Sequence, residues 1–231
     1  MRHRHYYFIR HALPVNDAGP FHLSIYDRDM LGKVDEPLSE KGKQQAKALK
    51  NTMYNLGIER IVSSTRKRAM ETAAIISAAT GIPYDTRFVR LDEISLGSIP
   101  VTKNILMRTV MSRHWPAMMH RLMDQALIFG LTLYYFFMWR IGKTRGGERL
   151  SEINRKVDEM LRVLDALPET RIAVVGHAGW ISFLAVKIMG GSLWHFIRLS
   201  RLDNCAITRI DANGRGNYEI RYFARSPRSL R

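Results

Sequence analysis

Apolar and polar positions fall into blocks whose spacing predicts the elements. Tyr6-Tyr7-Phe8-Ile9 is a continuous apolar run of strand length, the pattern of a strand covered on both faces. It stops at Arg10-His11, and Pro14, Asn16, Asp17 and Gly19 then signal a loop. Pro37-Leu38-Ser39 opens a helix, with Ser39 as N-cap, Ala46, Leu49, Met53 and Leu56 on its apolar face and Gly57 at its end. Arg60-Ile61-Val62-Ser63 reads as a second strand, and a helix follows from about Ala69 to Ala79, stopped by Gly81-Ile82-Pro83. From Glu148 to Leu167 the residues Leu150, Ile153, Val157, Leu161 and Leu164 recur at helical spacing, and Pro168 ends the pattern. Arg171 to Gly176 is a buried-type strand that runs into His177, ahead of a helix from about Trp180 to Met189. Ala206–Ile210 and Tyr218–Phe223 read as a terminal hairpin. Residues 224–231 read as a poorly ordered basic tail, and His3 and His5 as part of a solvated N-terminal arm. Strands alternating with helices predict an α/β fold: a three-layer α/β/α sandwich with a mostly parallel central sheet.

Residues 98–147 interrupt this rhythm, so the chain divides into an α/β core (1–97 and 148–231) and a helical, hydrophobic and basic insertion. The first half of the insertion is Met-rich, with Arg108, Arg113 and Arg121 interleaved; Ala126 to Trp139 then carries no formal charge. That run is apolar all round and needs cover on every side. As a helix it would reach only ~21 Å against a hydrocarbon core of ~30 Å. A single crossing would also separate His11 and Glu93 from His177. A cap over the site, a homodimer interface and a peripheral membrane contact through 105–141 remain open, and basic flanks such as Arg140, Lys143 and Arg145 lean toward a cap that also touches anionic headgroups.

The formal charge of +15 suits anionic partners, and 46% hydrophobic residues support a real core. Cys205 is the single cysteine, which excludes an internal disulfide and a cysteine metal cluster. The N-terminus has no apolar stretch with a cleavage site, so the expectation is a cytoplasmic protein, with the inner face of a membrane as a peripheral location. No zinc-finger or RNA-recognition pattern is present, which argues against a nucleic-acid partner.

The chemistry concentrates at strand ends. Ile9-Arg10-His11 and Val175-Gly176-His177 each bring a histidine to the edge where open α/β sheets hold ligands. Ser64-Thr65-Arg66-Lys67-Arg68 precedes a helix N-terminus, a natural anion site. Of its cations Arg68 is expected to turn inward, and Arg66 and Lys67 to stay solvated. Glu93 lies among the apolar Leu91, Ile94 and Leu96, where partial burial would raise its pKa, although its position alone fits an ordinary surface glutamate better.

Taken in order, these segments resemble the histidine phosphatase superfamily, whose fold is phosphoglycerate-mutase-like. Arg10-His11-Ala12 is similar to its Arg-His-Gly signature, and Pro37-Leu38-Ser39-Glu40-Lys41-Gly42-Lys43-Gln44-Gln45-Ala46 to its P-L-S/T-x-x-G-x-x-Q-A helix start. Ser63 to Ala73 resembles S-S-x-x-x-R-A-x-x-T-A, Leu91 to Gly97 resembles L-x-E-x-x-x-G, and Gly176-His177 its second histidine. The resemblance implies that His11 is the nucleophile and forms a phosphohistidine. It implies that Arg10, Arg68 and His177 hold the phosphoryl oxygens and that Glu93 is the general acid/base, with no metal and no cofactor. The expected substrate is a phosphomonoester, with a lipid-linked or otherwise amphiphilic one suiting the insertion. Ala12 in place of glycine, Leu13-Pro14-Val15, the displaced Asn16 and Arg149 depart from the mutase pattern and favour a phosphatase. The alternatives are a phosphoglycerate-type phosphomutase and a non-catalytic membrane- or nucleic-acid-binding scaffold.

Overall fold

The computed structural model describes residues 3–15, 35–86, 88, 91–94, 137–138, 141–144, 146–192, 195, 199, 202–214 and 216–230. Asn16, Asp17 and Gly19 and most of the 98–147 insertion lie outside them. Two compact units are present: Met1–Asp17, Asp35–Ile94 and Asn154–Arg231 form one, Ala18–Val34 and Ser95–Ile153 the other.

The first unit is built on a six-stranded sheet of strands β1 (Arg4–Arg10), β2 (Arg60–Ser63), β3 (Tyr84–Asp85), β4 (Arg171–Gly176), β5 (Ile207–Ala212) and β6 (Tyr218–Arg225). Their order is β3-β2-β4-β1-β5-β6. β1, β2, β3 and β4 pair in parallel, and β5 runs antiparallel to both β1 and β6. The short edge strand β3 was not foreseen, because two residues carry no periodicity.

The apolar run of β1 is buried on both faces because helices cover both. Alternate side chains of a strand point to opposite faces. Tyr7 and Ile9 join Ala46, Leu49, Met53, Ala69, Ala73 and Ile76 in one cluster, with helices α1 (Glu40–Ala48), α2 (Lys50–Asn55) and α3 (Lys67–Thr80). Tyr6 and Phe8 face the other layer, helices α4 (Leu150–Ala166) and α5 (Ala178–Ile188). There the Phe8 ring stacks on Trp180 at 5.6 Å and the Tyr6 hydroxyl donates to Asp165.

Ser39 caps α1 as expected, accepting from Gly42 N at 3.0 Å. The expected single helix to Gly57 is two, broken at Leu49, whose side chain stays buried in the core. Gly81 ends α3 with φ 76°. α3 begins at Lys67, two residues earlier than the apolar pattern starts, because Lys67 and Arg68 are polar and add nothing to the apolar period.

Two expectations about the termini are corrected. His5 is no part of a solvated arm: β1 sets it opposite Asp211, and His5 Nδ1 lies 2.8 Å from Asp211 Oδ1. Asp211, one residue past the expected Ala206–Ile210 strand, is a buried strand residue that also accepts from Arg209 and Arg221. Burial pushes its pKa up, but these hydrogen bonds win and hold it at about 2. The basic tail is ordered through Leu230. β6 keeps its backbone paired through Arg225, Pro227–Leu230 makes a 3-10 turn, and Leu230 packs on the core.

In the second unit Phe137 and Met138 lie in a helical turn, with Ile141 N donating to the Phe137 carbonyl at 3.2 Å. Among the described residues no helix is long and apolar enough to cross a membrane.

Candidate active site

Strand register creates the site. β1 and β4 are parallel neighbours with Arg10 opposite Gly176, so His11 and His177 leave adjacent strands at the same edge. Their ring centroids are 5.2 Å apart. β2 pairs Ser63 with Val175, which brings Ser64 to the same level, and the first turn of α3 then supplies Arg68.

Arg68 bridges the two histidines. Its Nε donates to His11 Nε2 at 3.2 Å and its Nη2 lies 3.2 Å from His177 Nδ1. A guanidinium only donates and a carbonyl only accepts, so the partners assign the tautomers. His11 Nδ1 lies 2.8 Å from the Ala12 carbonyl and therefore carries the proton, which leaves Nε2 as a lone pair facing the crevice. In His177 the roles reverse: Nδ1 is the acceptor, and Nε2–H points at Ser64 Oγ, 2.8 Å away.

Burial lowers the pKa of His11 well below 6.5, and Arg68 and Arg10 push it the same way. The Ala12 carbonyl opposes them and loses. His177, fully buried, is lowered by burial and then by His11, Arg68, Arg66 and Arg10. Both rings are neutral at neutral pH, the state in which an imidazole nitrogen is nucleophilic.

Glu93 moves the other way. Burial raises its pKa, and Arg68, the Ile94 and Trp180 backbone N–H groups and Arg10 only partly offset that. Its Oε1 accepts from Ile94 N at 3.2 Å, and its Oε2 lies 3.8 Å from His177 Nδ1. Trp180 sits in the first turn of α5, so Glu93 also occupies that helix's N-terminus. A Cβ at Gly179 would fall 2.7 Å from Glu93 Oε1, so any larger residue there would displace the carboxyl.

Arg10 stands at the end of β1, where its Nη1 donates to the Leu202 carbonyl and its charge reaches His11, His177 and Glu93. Lys67 is exposed, while Arg66 is half-buried with Nε 3.9 Å from Asp92. Arg66 thus lies further in than the solvated position expected of it.

Several supporting residues were not singled out beforehand. Asp92 accepts from Thr65 N at 2.8 Å and from Thr65 Oγ1 at 2.7 Å, tying the Glu93 segment to the Arg68 loop. Thr72 Oγ1 accepts from Ala12 N at 3.0 Å and donates to the Arg68 carbonyl at 2.6 Å, linking nucleophile and guanidinium. Asn204 Nδ2 donates to the His11 carbonyl at 3.1 Å, and Cys205 N to the Arg10 carbonyl at 3.0 Å. Ser64, Thr72 and Asp92 lie inside quoted motifs and carried that signal. Asn204 carried none, since only the sheet brings it to β1. Among the described residues no group of three His, Cys, Asp or Glu side chains is placed to hold a metal ion.

A sequence-family model described as "Histidine phosphatase superfamily (branch 1)" matches residues 6–127 and 132–224. A "probable phosphoglycerate mutase GpmB" of Escherichia coli O1:K1 is 32% identical over 188 residues, 80% of this chain and 78% of that protein. The protein of the same description from Salmonella paratyphi B matches to the same extent. Among solved structures, the native mycobacterial glucosyl-3-phosphoglycerate phosphatase superposes with a TM-score of 0.66 at 20% identity, covering 96% of this chain and 99% of that one. YhfR of Bacillus stearothermophilus gives 0.66 at 23% identity, with 94% and 95% covered. At these identities the two structures are likenesses of fold.

Proposed function

The chain belongs to the histidine phosphatase superfamily, branch 1, and from that premise we propose that it is a phosphomonoesterase working through a phosphohistidine on His11. The observation that carries this is the His11 Nε2 lone pair, fixed by the Ala12 carbonyl behind it and by Arg68 beside it. In the proposed reaction Nε2 attacks phosphorus, the P–O ester bond breaks, and Glu93 gives its proton to the leaving oxygen. Glu93, now a carboxylate, takes a proton from water; the water oxygen attacks phosphorus, the P–N bond breaks and inorganic phosphate leaves. Arg10, Arg68 and His177 hold the equatorial oxygens, where charge spreads in the transition state. The raised pKa of Glu93 suits a group that must arrive protonated, and such an acid contributes roughly 10²–10⁴-fold.

The second reading is a phosphoglycerate-type mutase, favoured by the printed description of the 32% identical relatives. The phosphatase takes precedence because Ala12, Leu13, Pro14 and Val15 replace the mutase pattern after the nucleophile. Incubation with an aryl phosphate and, separately, with 3-phosphoglycerate plus its bisphosphate primer separates the two. Phosphate release lost in His11→Ala, with an acid-labile phosphoenzyme in the parent only, supports the phosphatase. Isomer exchange without phosphate release would transfer the reading to the mutase.

We keep a cytoplasmic setting as part of this proposal, and for the insertion a cap that also meets an anionic membrane surface. The exposed side chains of Phe137 and Ile141 support that use.

A further inference from the structure

Ser64 has a hydroxyl that the proposed chemistry does not use, yet it is fully buried beside a fully buried imidazole. Its Oγ lies 2.8 Å from His177 Nε2 and 3.4 Å from Arg66 N. Its backbone N–H donates to the Val175 carbonyl at 3.1 Å, so the residue is pinned to β4 just ahead of His177. Arg68 Nη2 occupies the other side of the ring, on Nδ1. The charged and titratable groups facing the imidazole are therefore Arg68 from α3, Arg66 from the loop before it, Glu93, and Arg10 and His11 from the end of β1.

We infer that Ser64 is a positioning residue for His177: its Oγ accepts Nε2–H, fixes the tautomer and ring plane, and so presents Nδ1 to the phosphoryl pocket. A neutral imidazole has two tautomers, and beside these partners they are not equivalent. With the proton on Nε2, the Nδ1 lone pair is met by the Arg68 guanidinium. With the proton on Nδ1, an N–H would face an N–H of Arg68, and Ser64 would have to turn its own hydroxyl hydrogen to Nε2. A phosphate anion arriving at Nδ1 needs a donor there. The ring supplies it by taking a proton at Nδ1, and Ser64 then keeps the second N–H of the imidazolium satisfied. The proton comes from solvent or with a monoanionic ester, and Glu93, whose Oε2 lies 3.8 Å from Nδ1, keeps its own for the leaving oxygen. Oxyanion uptake at this site is thus tied to protonation of His177, with Ser64 holding the far side of the ring.

The role of Nδ1 rests on the phosphatase reading, whereas the Ser64–His177 contact does not, so the test reads the two separately. The first readout is the 15N shift pair of His177 in the parent protein without ligand, which must report Nε2–H; an Nδ1–H tautomer overturns the inference whatever any variant does. The second is orthovanadate binding as a function of pH in Ser64→Ala and Ser64→Thr. Ser64→Ala should bind about tenfold more weakly, a loss of one hydrogen bond to a charged partner, with the pH dependence shifted to more acidic values as the imidazolium loses support. Ser64→Thr keeps the hydroxyl and should restore the tautomer and most of the binding. Binding by Ser64→Ala within twofold of the parent, with an unshifted pH profile, overturns the inference. Absence of phosphate release from the parent would sink the phosphatase reading, and the 15N tautomer would still decide the role of Ser64.

Discussion

His11 and Glu93 show how one crevice pushes two side chains in opposite directions. The same burial that keeps the imidazole free of its proton keeps the carboxyl bound to its own, because desolvation disfavours whichever form is charged. In the proposed reaction that pairing supplies a nucleophile and an acid at one pH. Its consequence is a dependence on the leaving group. Glu93→Gln should slow release from an alkyl phosphate by about 10²-fold or more while slowing an activated aryl phosphate far less, because the latter leaves without a proton. Steady-state rates across a series of leaving groups check this; an equal loss on both would mean that Glu93 matters as the cap of α5 and not as the acid. Arg68 is the other decisive residue. It touches both histidines, and burial lowers even its pKa while Glu93 opposes that.

Helix α1 explains a motif that has no chemistry of its own. Ser39 Oγ donates to the Leu13 carbonyl at 3.0 Å, and Gln45 Oε1 accepts from Leu13 N at 3.0 Å. A Cβ on Gly42 would lie 2.0 Å from the Leu13 oxygen, a backbone atom with nowhere to go. The Pro-Leu-Ser-x-x-Gly start of this helix is therefore a clamp on the loop two residues beyond the nucleophile. Gly42→Ala, a change that favours an exposed helix by about 1 kcal/mol, should here destabilise the protein and lower turnover, because the clash outweighs propensity. Urea denaturation and aryl-phosphate turnover measured together check it; a stabilised variant with parent activity would show that the loop yields freely. α3 and α5 serve the site differently, delivering Arg68 and the Trp180 N–H from their first turns.

At the scale of the whole molecule the buried site sets a dependence of stability on pH. His11 and His177 have folded pKa values below the unfolded 6.5, so the unfolded chain binds more protons as pH falls through that value, and stability is lost on the acid side. Glu93, raised above 4.5, works in the opposite sense: the folded state holds its proton longer, and its contribution is lost as pH rises through the raised value. Two histidines outweigh one carboxyl, so the urea midpoint should fall between about pH 7.5 and about pH 5, and fall less in His177→Asn. A midpoint flat over that range in the parent would contradict the buried neutral state. The insertion has its own test at this scale. The protein should co-sediment with anionic vesicles, less so at high salt, and replacement of residues 123–141 by a Gly/Ser linker should abolish this. A parent protein that ignores vesicles removes the membrane from the proposal and leaves a cap or a dimer surface.

The sequence by itself determined most of the strands and helices, because each is a local signal. A buried strand is an apolar run and a helix is a period; Arg10, His11 and His177 sit where such runs stop, whereas Arg68 and Glu93 stand out through segments that resemble the family's motifs. Tertiary structure decided what depends on neighbours distant in the chain. Parallel pairing of β1 with β4 set the two imidazoles 5.2 Å apart, pairing of β2 with β4 brought Ser64 to His177, pairing of β1 with β5 brought Asn204 to His11, and Asp92 found its partner in Thr65, far from it in the chain. His5 and the C-terminal residues read as loose because no nearby position shows Asp211 opposite the one or the core waiting for Leu230. Local pattern fixes what a segment is. Which of its polar groups become buried, paired and shifted in pKa is a property of register and packing, and those exist only in the folded molecule.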